Sequence, residues 1–531
     1  MAHSAAAADC PLRIGPPDEF ARVREFFHRA AFDDATLCRV LGMGDMSDLG
    51  RVRWEDFKPD GMAAPLHWCI QIFIRGLPAA ESESRAICGA ETFASFQSLG
   101  LLRAAKKDST TVVCPVWVYP ADGWVMISDR RDDPDGEPYT PPEDVVFPAI
   151  YAGTLRFLKL LPEVCEGSPR GVTHDPTYQL PTATTPRGEA LDLCGGSGIG
   201  ALHLSRTARA VATADLTARS TIFAEFNVRL NNVPAECLCG DLYAPVQGRQ
   251  FDLISAHPPF VPTTGPNMVY RDGGDTGEEV TRRVVEGLPA HLRPGGTCVI
   301  LCVARDTEDA SFERRVREWL GAAADEFDVI FGLEKVLTVA EVVESMRKRG
   351  QNIGDAEARQ VFERLRALGT RQFVYGATVI RRLTEANAQE PFRIWMTPTA
   401  VAHDFERLLA WRRHCRRPGI EDWLAESRPG FAPQLLLTAR HVVREGALVP
   451  AEFVFEIEEG FRAALRPDAW VVPLVARLTG DKSVAQVFEA ARAADELPEG
   501  FKLEDFVGLV RGMIDRRFLQ VDFVCAPTEK G

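Results

Sequence analysis

The run Leu191-Asp192-Leu193-Cys194-Gly195-Gly196-Ser197-Gly198-Ile199-Gly200-Ala201-Leu202 narrows the possible folds more than any other stretch of the chain. An apolar segment that reads as a strand enters a turn holding Gly195, Gly196, Gly198 and Gly200 and leaves it as a helix. Such a turn brings backbone close to a ligand and aims its N–H groups at polar ligand atoms. By pattern alone, Gly196-x-Gly198-x-x-Ala201 also satisfies the dinucleotide fingerprint, and Asp215 lies 17 residues beyond Gly198, near where an acid meets ribose hydroxyls. Glycine spacing therefore does not separate a nicotinamide cofactor from another adenosine cofactor.

The surrounding pattern places this unit in an α/β domain over residues 147–383. Short apolar strands are expected at Ala190–Cys194, Ala210–Ala214, Cys237–Gly240, Phe251–Ala256, Cys298–Val303, Phe327–Gly332 and Phe373–Ile380, alternating with helical stretches, the signature of a mostly parallel sheet. Helical sequence between Val339 and Leu368 is more than a crossover needs and reads as a small cap. Residues 1–146 read as a helical bundle followed by a hairpin around Pro120-Ala121-Asp122-Gly123, which is winged-helix-like. The acidic, Pro- and Gly-rich segment from Arg130 to Asp144 reads as a linker or mobile loop, and polar Thr384–Pro391 as a second boundary. Residues 384–531 read as another helical, winged-helix-like domain.

Composition sets limits on partners. With 61 Lys and Arg against 75 Asp and Glu, the 531-residue chain carries a net charge of −14, a field that repels polyanions and argues against nucleic acid and anionic membranes. The basic clusters Arg347-Lys348-Arg349 and Arg412–Arg417 read as solvated helix faces. Thirteen scattered cysteines form no CxxC pair or zinc spacing, so no metal is expected, and the thiols read as reduced. No apolar run of membrane-spanning length appears, and a cytoplasmic location is expected.

Further polar residues fall at strand ends in a telling order. Asp215 closes the second strand, Gly240-Asp241-Leu242 the third, and His257-Pro258-Pro259-Phe260 the fourth. With that order the chain resembles class I S-adenosylmethionine-dependent methyltransferases over residues 147–383, and among them the release-factor glutamine methyltransferases and their small-domain relatives, whose fourth strand ends in Asn-Pro-Pro-Tyr or Asn-Pro-Pro-Phe. The resemblance implies S-adenosylmethionine as cofactor: Asp192 with Gly196, Gly198 and Gly200 at its methionine part, Asp215 at the ribose, Asp241 and Leu242 at the adenine. A carboxylate suits the ribose diol and the adenine amine because both donate hydrogen bonds.

Two positions depart from the family. Cys194 stands where a glycine is usual, a change expected to be tolerated. His257 stands for Asn, whose side-chain carbonyl, with the carbonyl of the next Pro, accepts both hydrogens of a planar amide or amine while the aromatic residue stacks on it. Neutral imidazole offers one acceptor but can also take a proton. His257, Pro258 and Phe260 are thus the expected catalytic positions, and Arg271 and Asp272, in the loop beyond Val261–Asn267, the expected substrate contacts. Methylation of a nitrogen on a protein, peptide or small molecule follows from the resemblance. Methylation of a hydroxyl or carboxylate, with His257 as base, and a non-catalytic cofactor sensor are the competing readings.

Overall fold

The computed structural model describes residues 10–162, 188–263, 268–347 and 354–523, so Thr264–Asn267 of the expected substrate loop and Lys348-Arg349 of the first basic cluster lie outside the described residues. Two compact units result: Met1–Val329 with Lys335–Pro391, and Ile330–Glu334 with Phe392–Gly531. Residues on both sides of the expected boundary at 146/147 thus fall in one unit, and the observed division lies at Pro391/Phe392.

The seven strands expected over residues 147–383 all form: β1 (Glu189–Leu193), β2 (Ala210–Asp215), β3 (Ala235–Cys239), β4 (Phe251–Ala256), β5 (Leu292–Thr307), β6 (Phe327–Leu337) and β7 (Thr370–Arg382). Their order is β3-β2-β1-β4-β5-β7-β6. Neighbours from β3 through β5 run parallel, and β7 runs antiparallel to β5. Leu191, Leu193, Ala212, Ala214, Leu253 and Ile254 are all buried, as the continuous apolar strands of a sheet covered on both faces must be. The chain builds outward from β1 through β3, then returns to β4 on the other side of β1. That reversal opens a crevice at the carboxyl ends of β1 and β4, whose last residues Leu193 and Ala256 are register partners. Pro294-Gly295-Gly296 lies inside β5, where the register with β4 shifts between Leu292 and Thr297.

Helices Val339–Met346 and Asp355–Ala367 lie between β6 and β7 in sequence and share a small core of Val339, Val343, Met346, Ala358, Val361 and Leu365 with Phe373 of β7. Arg364 of this cap donates to the carbonyl of Thr263 (2.9 Å).

The N-terminal residues pack onto the sheet domain through helix Ala218–Leu230. Phe20 of helix Pro17–Arg29 meets Phe226 edge-on at 4.9 Å. The hairpin around Asp122-Gly123 forms from Trp117–Ala121 and Trp124–Ser128, whereas Thr111–Val113, expected to belong to it, pairs instead with Ala79–Ala80 and Arg103–Ala104. The segment Arg130–Asp144, expected as a linker or mobile loop, is a loop tied at Asp135, which accepts from Arg103 and from the Lys106 backbone. Just before it, Arg219 forms a buried two-pronged pair with Asp129 (2.8 and 2.5 Å).

The second unit has its own core, including Trp411, Leu424, Phe455, Leu474, Phe488, Phe506 and Met513. Helices Val471–Val475, Val484–Ala493 and Leu503–Asp515 agree with the helical reading of this part. A long hairpin of Leu436–Arg444 and Ala447–Ile457 precedes them, and Arg412 of the second basic cluster lies over the Phe392 ring at 5.0 Å. Among the described residues no helix is long and apolar enough to cross a membrane.

Breaking a buried ion pair by removing one partner leaves an uncompensated charge, at a cost of about 3–5 kcal/mol. Asp129→Ala is therefore expected to lower the unfolding free energy by about 3 kcal/mol, read by chemical denaturation, although Asp129 lies outside the sheet domain.

Candidate functional site

Asp192 sits on β1 between its register partners Thr213 on β2 and Ser255 on β4. In a parallel sheet such partners project from the same face, and both hydroxyls donate to its carboxylate, Ser255 Oγ at 2.7 Å and Thr213 Oγ1 at 3.4 Å. The side chain is only 3% exposed, and burial pushes its pKa up to about 6 against the pull of those two hydrogen bonds. The turn packs against it. A Cβ at Gly200 would stand 2.4 Å from Asp192 Oδ1, so only glycine lets the helix Ile199–Leu204 start this close. Gly196 is different: its φ of +52° requires the left-handed region, and an added Cβ would meet nothing within 4 Å, which leaves open space above the turn.

Asp215, ending β2, accepts from Gly196 N (2.9 Å) and Thr217 N (3.2 Å), and burial raises its pKa. Asp192 and Asp215 both receive neutral donors only. Two desolvated carboxylates beside a turn with free space suit a ligand that brings its own positive charge and hydroxyl donors, which is what S-adenosylmethionine carries. Asp241 is exposed and engaged: Arg283 of helix Glu279–Glu286 donates to it at 2.6 Å, a partner the strand-end pattern could not reveal. Leu242 adopts φ +49° and Cys194 φ +57°, so two non-glycine residues at the ligand turns occupy the left-handed region. The glycine usual at position 194 is thereby explained, and Cys194 carries a strain that reading the position as merely the strand side of the turn overlooked.

At the end of β4, His257 lies between Phe157 (ring centroids 5.3 Å) and Phe260 (6.1 Å, 28° between planes). Burial alone pushes its pKa down to about 4, so the imidazole is neutral at pH 7. Phe157 comes from helix Ala152–Leu158, far upstream, and had no signal in the sequence beyond an apolar position. Pro258 is buried and Phe260 keeps part of its surface. The glycine-rich loop that follows lies directly on this motif: a Cβ at Gly273 would stand 2.7 Å from the Pro259 carbonyl, and one at Gly277 2.5 Å from that of Phe260. Asp272 is spent within the loop, accepting from Met268 N (2.7 Å) and Arg271 Nε (3.1 Å), while Arg271 stays partly exposed. Glu278 anchors the far end of the loop through buried bonds to Arg305 and Arg315. Among the described residues no group of three or more His, Cys, Asp or Glu is placed to hold a metal.

Residues 178–324 match the family described as methyltransferase small domain. The chain is 28% identical over 214 residues to a ribosomal protein uL3 glutamine methyltransferase of Bradyrhizobium diazoefficiens, covering 37% of this chain and 63% of that one. It is 28% identical over 109 residues to a ribosomal RNA small subunit methyltransferase C of Alcanivorax borkumensis, covering 20% and 30%. It is 38% identical over 72 residues to a release factor glutamine methyltransferase of Xylella fastidiosa, covering 12% and 26%. The matched part thus spans less than two thirds of each of these relatives.

Two substitutions test the strain at this site. The folded pKa of Asp192 lies above its ordinary 3.8, so its contribution to stability is full below that value and lost as pH rises through about 6. Asp192→Asn should therefore stabilise the ligand-free chain at pH 7.5 by about 1–3 kcal/mol, with the gain shrinking toward pH 5, in melting experiments at both pH values. Cys194→Gly should stabilise by about 1 kcal/mol at either pH, the scale of relieving one left-handed non-glycine residue.

Proposed function

We propose that this chain, whose central domain is of the class I S-adenosylmethionine-dependent methyltransferase type, methylates a planar nitrogen, an amide or amine, with a protein amide as the leading acceptor. In this reading Asp192 and the turn from Gly196 through Gly198 to Gly200 hold the methionine part of S-adenosylmethionine, Asp215 the ribose, and Asp241 with Leu242 the adenine. The cofactor supplies a methyl group already activated on a sulfonium. What remains for the chain is to hold the acceptor nitrogen in line and about 3 Å away with water excluded. His257 and the Pro258 carbonyl accept the two N–H hydrogens, which directs the lone pair at the methyl group, and Phe260 stacks on the acceptor plane. Arg271 contacts the acceptor, with Asp272 holding its guanidinium.

What supports the nitrogen reading is the place of His257 between the Phe157 and Phe260 rings, where burial pushes the imidazole pKa down to about 4. A base with a pKa near 4 gives little drive for taking a proton from a hydroxyl at pH 7, whereas a neutral ring accepts a hydrogen bond readily. Two of the similar proteins are named for glutamine residues of proteins and one for ribosomal RNA, so the charge of −14 does not by itself exclude a nucleic-acid acceptor. The order helix Ala64–Cys69, strand Ala79–Ala80, helices Glu81–Cys88 and Ala90–Ser98, then strands Arg103–Ala104 and Thr111–Val113, supports the winged-helix reading of the N-terminal module.

His257→Asn restores the family's acceptor pair and should keep turnover within about tenfold, since one neutral hydrogen bond is worth about 0.5–1.5 kcal/mol. The pH profile should keep the same limbs in His257→Asn as in the unsubstituted enzyme, because Asp192, its pKa pushed up to about 6, titrates in both and His257 does not titrate near 6.5. Turnover is measured as S-adenosylhomocysteine formed on a cell extract. A loss of about 100-fold in His257→Asn, with cofactor affinity intact, would instead favour oxygen as the acceptor atom.

A further inference from the structure

Helix Ala218–Leu230 and the residue after it present two asparagines one turn apart, and both substitute for a neighbouring strand. Asn231 accepts from Val125 N (3.0 Å) and donates to Val125 O (2.8 Å); Asn227 accepts from Ile127 N and donates to Ile127 O, both at 2.9 Å. Four residues of helix rise about 6 Å and two residues of strand about 6.6 Å, so the two amides fall in step with the edge of the hairpin. They differ in one bond. Asn231 Nδ2 also donates back to Asn227 O, within its own helix (2.9 Å), whereas Asn227 Nδ2 donates to Ser197 O in the glycine turn (2.8 Å).

Asn227 is fully buried, and its three bonds use both amide hydrogens and the side-chain oxygen. Ser197 is itself buried, at the centre of a turn whose glycines leave the backbone with many alternatives. The geometry points to Asn227 as a positioning residue of the cofactor turn, through which the hairpin Trp117–Ser128 becomes part of the cofactor-binding apparatus. The inference rests on the proposed cofactor reading. Without the amide, the Ser197 carbonyl is buried and unpartnered, and the turn relaxes to satisfy it. The turn and the Ile127 end of the hairpin are then linked through Asn227: what fixes the turn also fixes the amide that pairs with Ile127, and by the same factor in both directions.

Asn227→Leu and Asn231→Leu separate turn positioning from hairpin docking, because each loses its own pair of bonds to the hairpin and only the first also loses Ser197. Calorimetry with S-adenosylmethionine should show a dissociation constant raised about tenfold in Asn227→Leu and changed less than about twofold in Asn231→Leu, although both melt earlier. In the unsubstituted chain, saturating S-adenosylmethionine should slow hydrogen exchange at the Ile127 amide; this decides the matter even if Asn227→Leu does not fold. Equal effects of the two variants on affinity, or exchange indifferent to the cofactor, would overturn the inference while leaving the cofactor reading in place. An unsubstituted chain that binds no S-adenosylmethionine overturns both.

Discussion

A carboxylate removed from water in the central strand of the sheet governs how this end of the molecule is built. Burying Asp192 without partners would cost several kcal/mol, and its register partners on both sides supply hydroxyls that offset part of this. Those bonds tie β1 to β2 and β4 at the level where the chain leaves the sheet. The same carboxylate dictates glycine at position 200, because the helix after the turn starts in contact with it. The charge that makes the crevice fit for a cationic ligand and the packing that shapes it are one arrangement.

Helix Ala218–Leu230 carries that arrangement outward. Its inner face bears Phe223, Ala224 and Phe226 in the core, and its polar positions reach the N-terminal hairpin: Arg219 to Asp129, Asn227 to Ile127. None of these is a surface contact that solvent could replace. The Asp129 and Arg219 side chains are 5% and 8% exposed, and Asn227 not at all. A wall of the cofactor crevice is therefore braced by residues that precede the sheet domain in the chain.

The corner around His257 is built by a different device, backbone against backbone. Gly273 and Gly277 bring the loop onto the carbonyls of Pro259 and Phe260, Glu278 fixes its far end with two arginines, and Arg364 of the cap holds Thr263. His257 lies beside this packing between Phe157 and Phe260, and burial pushes its pKa down to about 4.

The strands, the glycine turn and the acids at strand ends were legible because each is local: a run of apolar residues, a cluster of glycines, a polar residue where the run stops. All seven expected strands form, and Asp192, Asp215, Asp241 and His257 stand at or beside the ends of β1 through β4. The segment Arg130–Asp144 is the loop its composition suggests, but its ties were not legible: only folding brings Asp135 to Arg103 and Lys106, and, just before it, Asp129 to Arg219, 90 residues away, and Ile127 to Asn227, 100 residues away. Nor can a sequence show that Asp241 is engaged by Arg283, that Cys194 lies at positive φ, or that His257 packs between Phe157 and Phe260. Composition and period report what a residue prefers by itself; hydrogen-bond partners, backbone strain and the protonation of a buried ring depend on neighbours distant in the chain, and those only the tertiary structure decides.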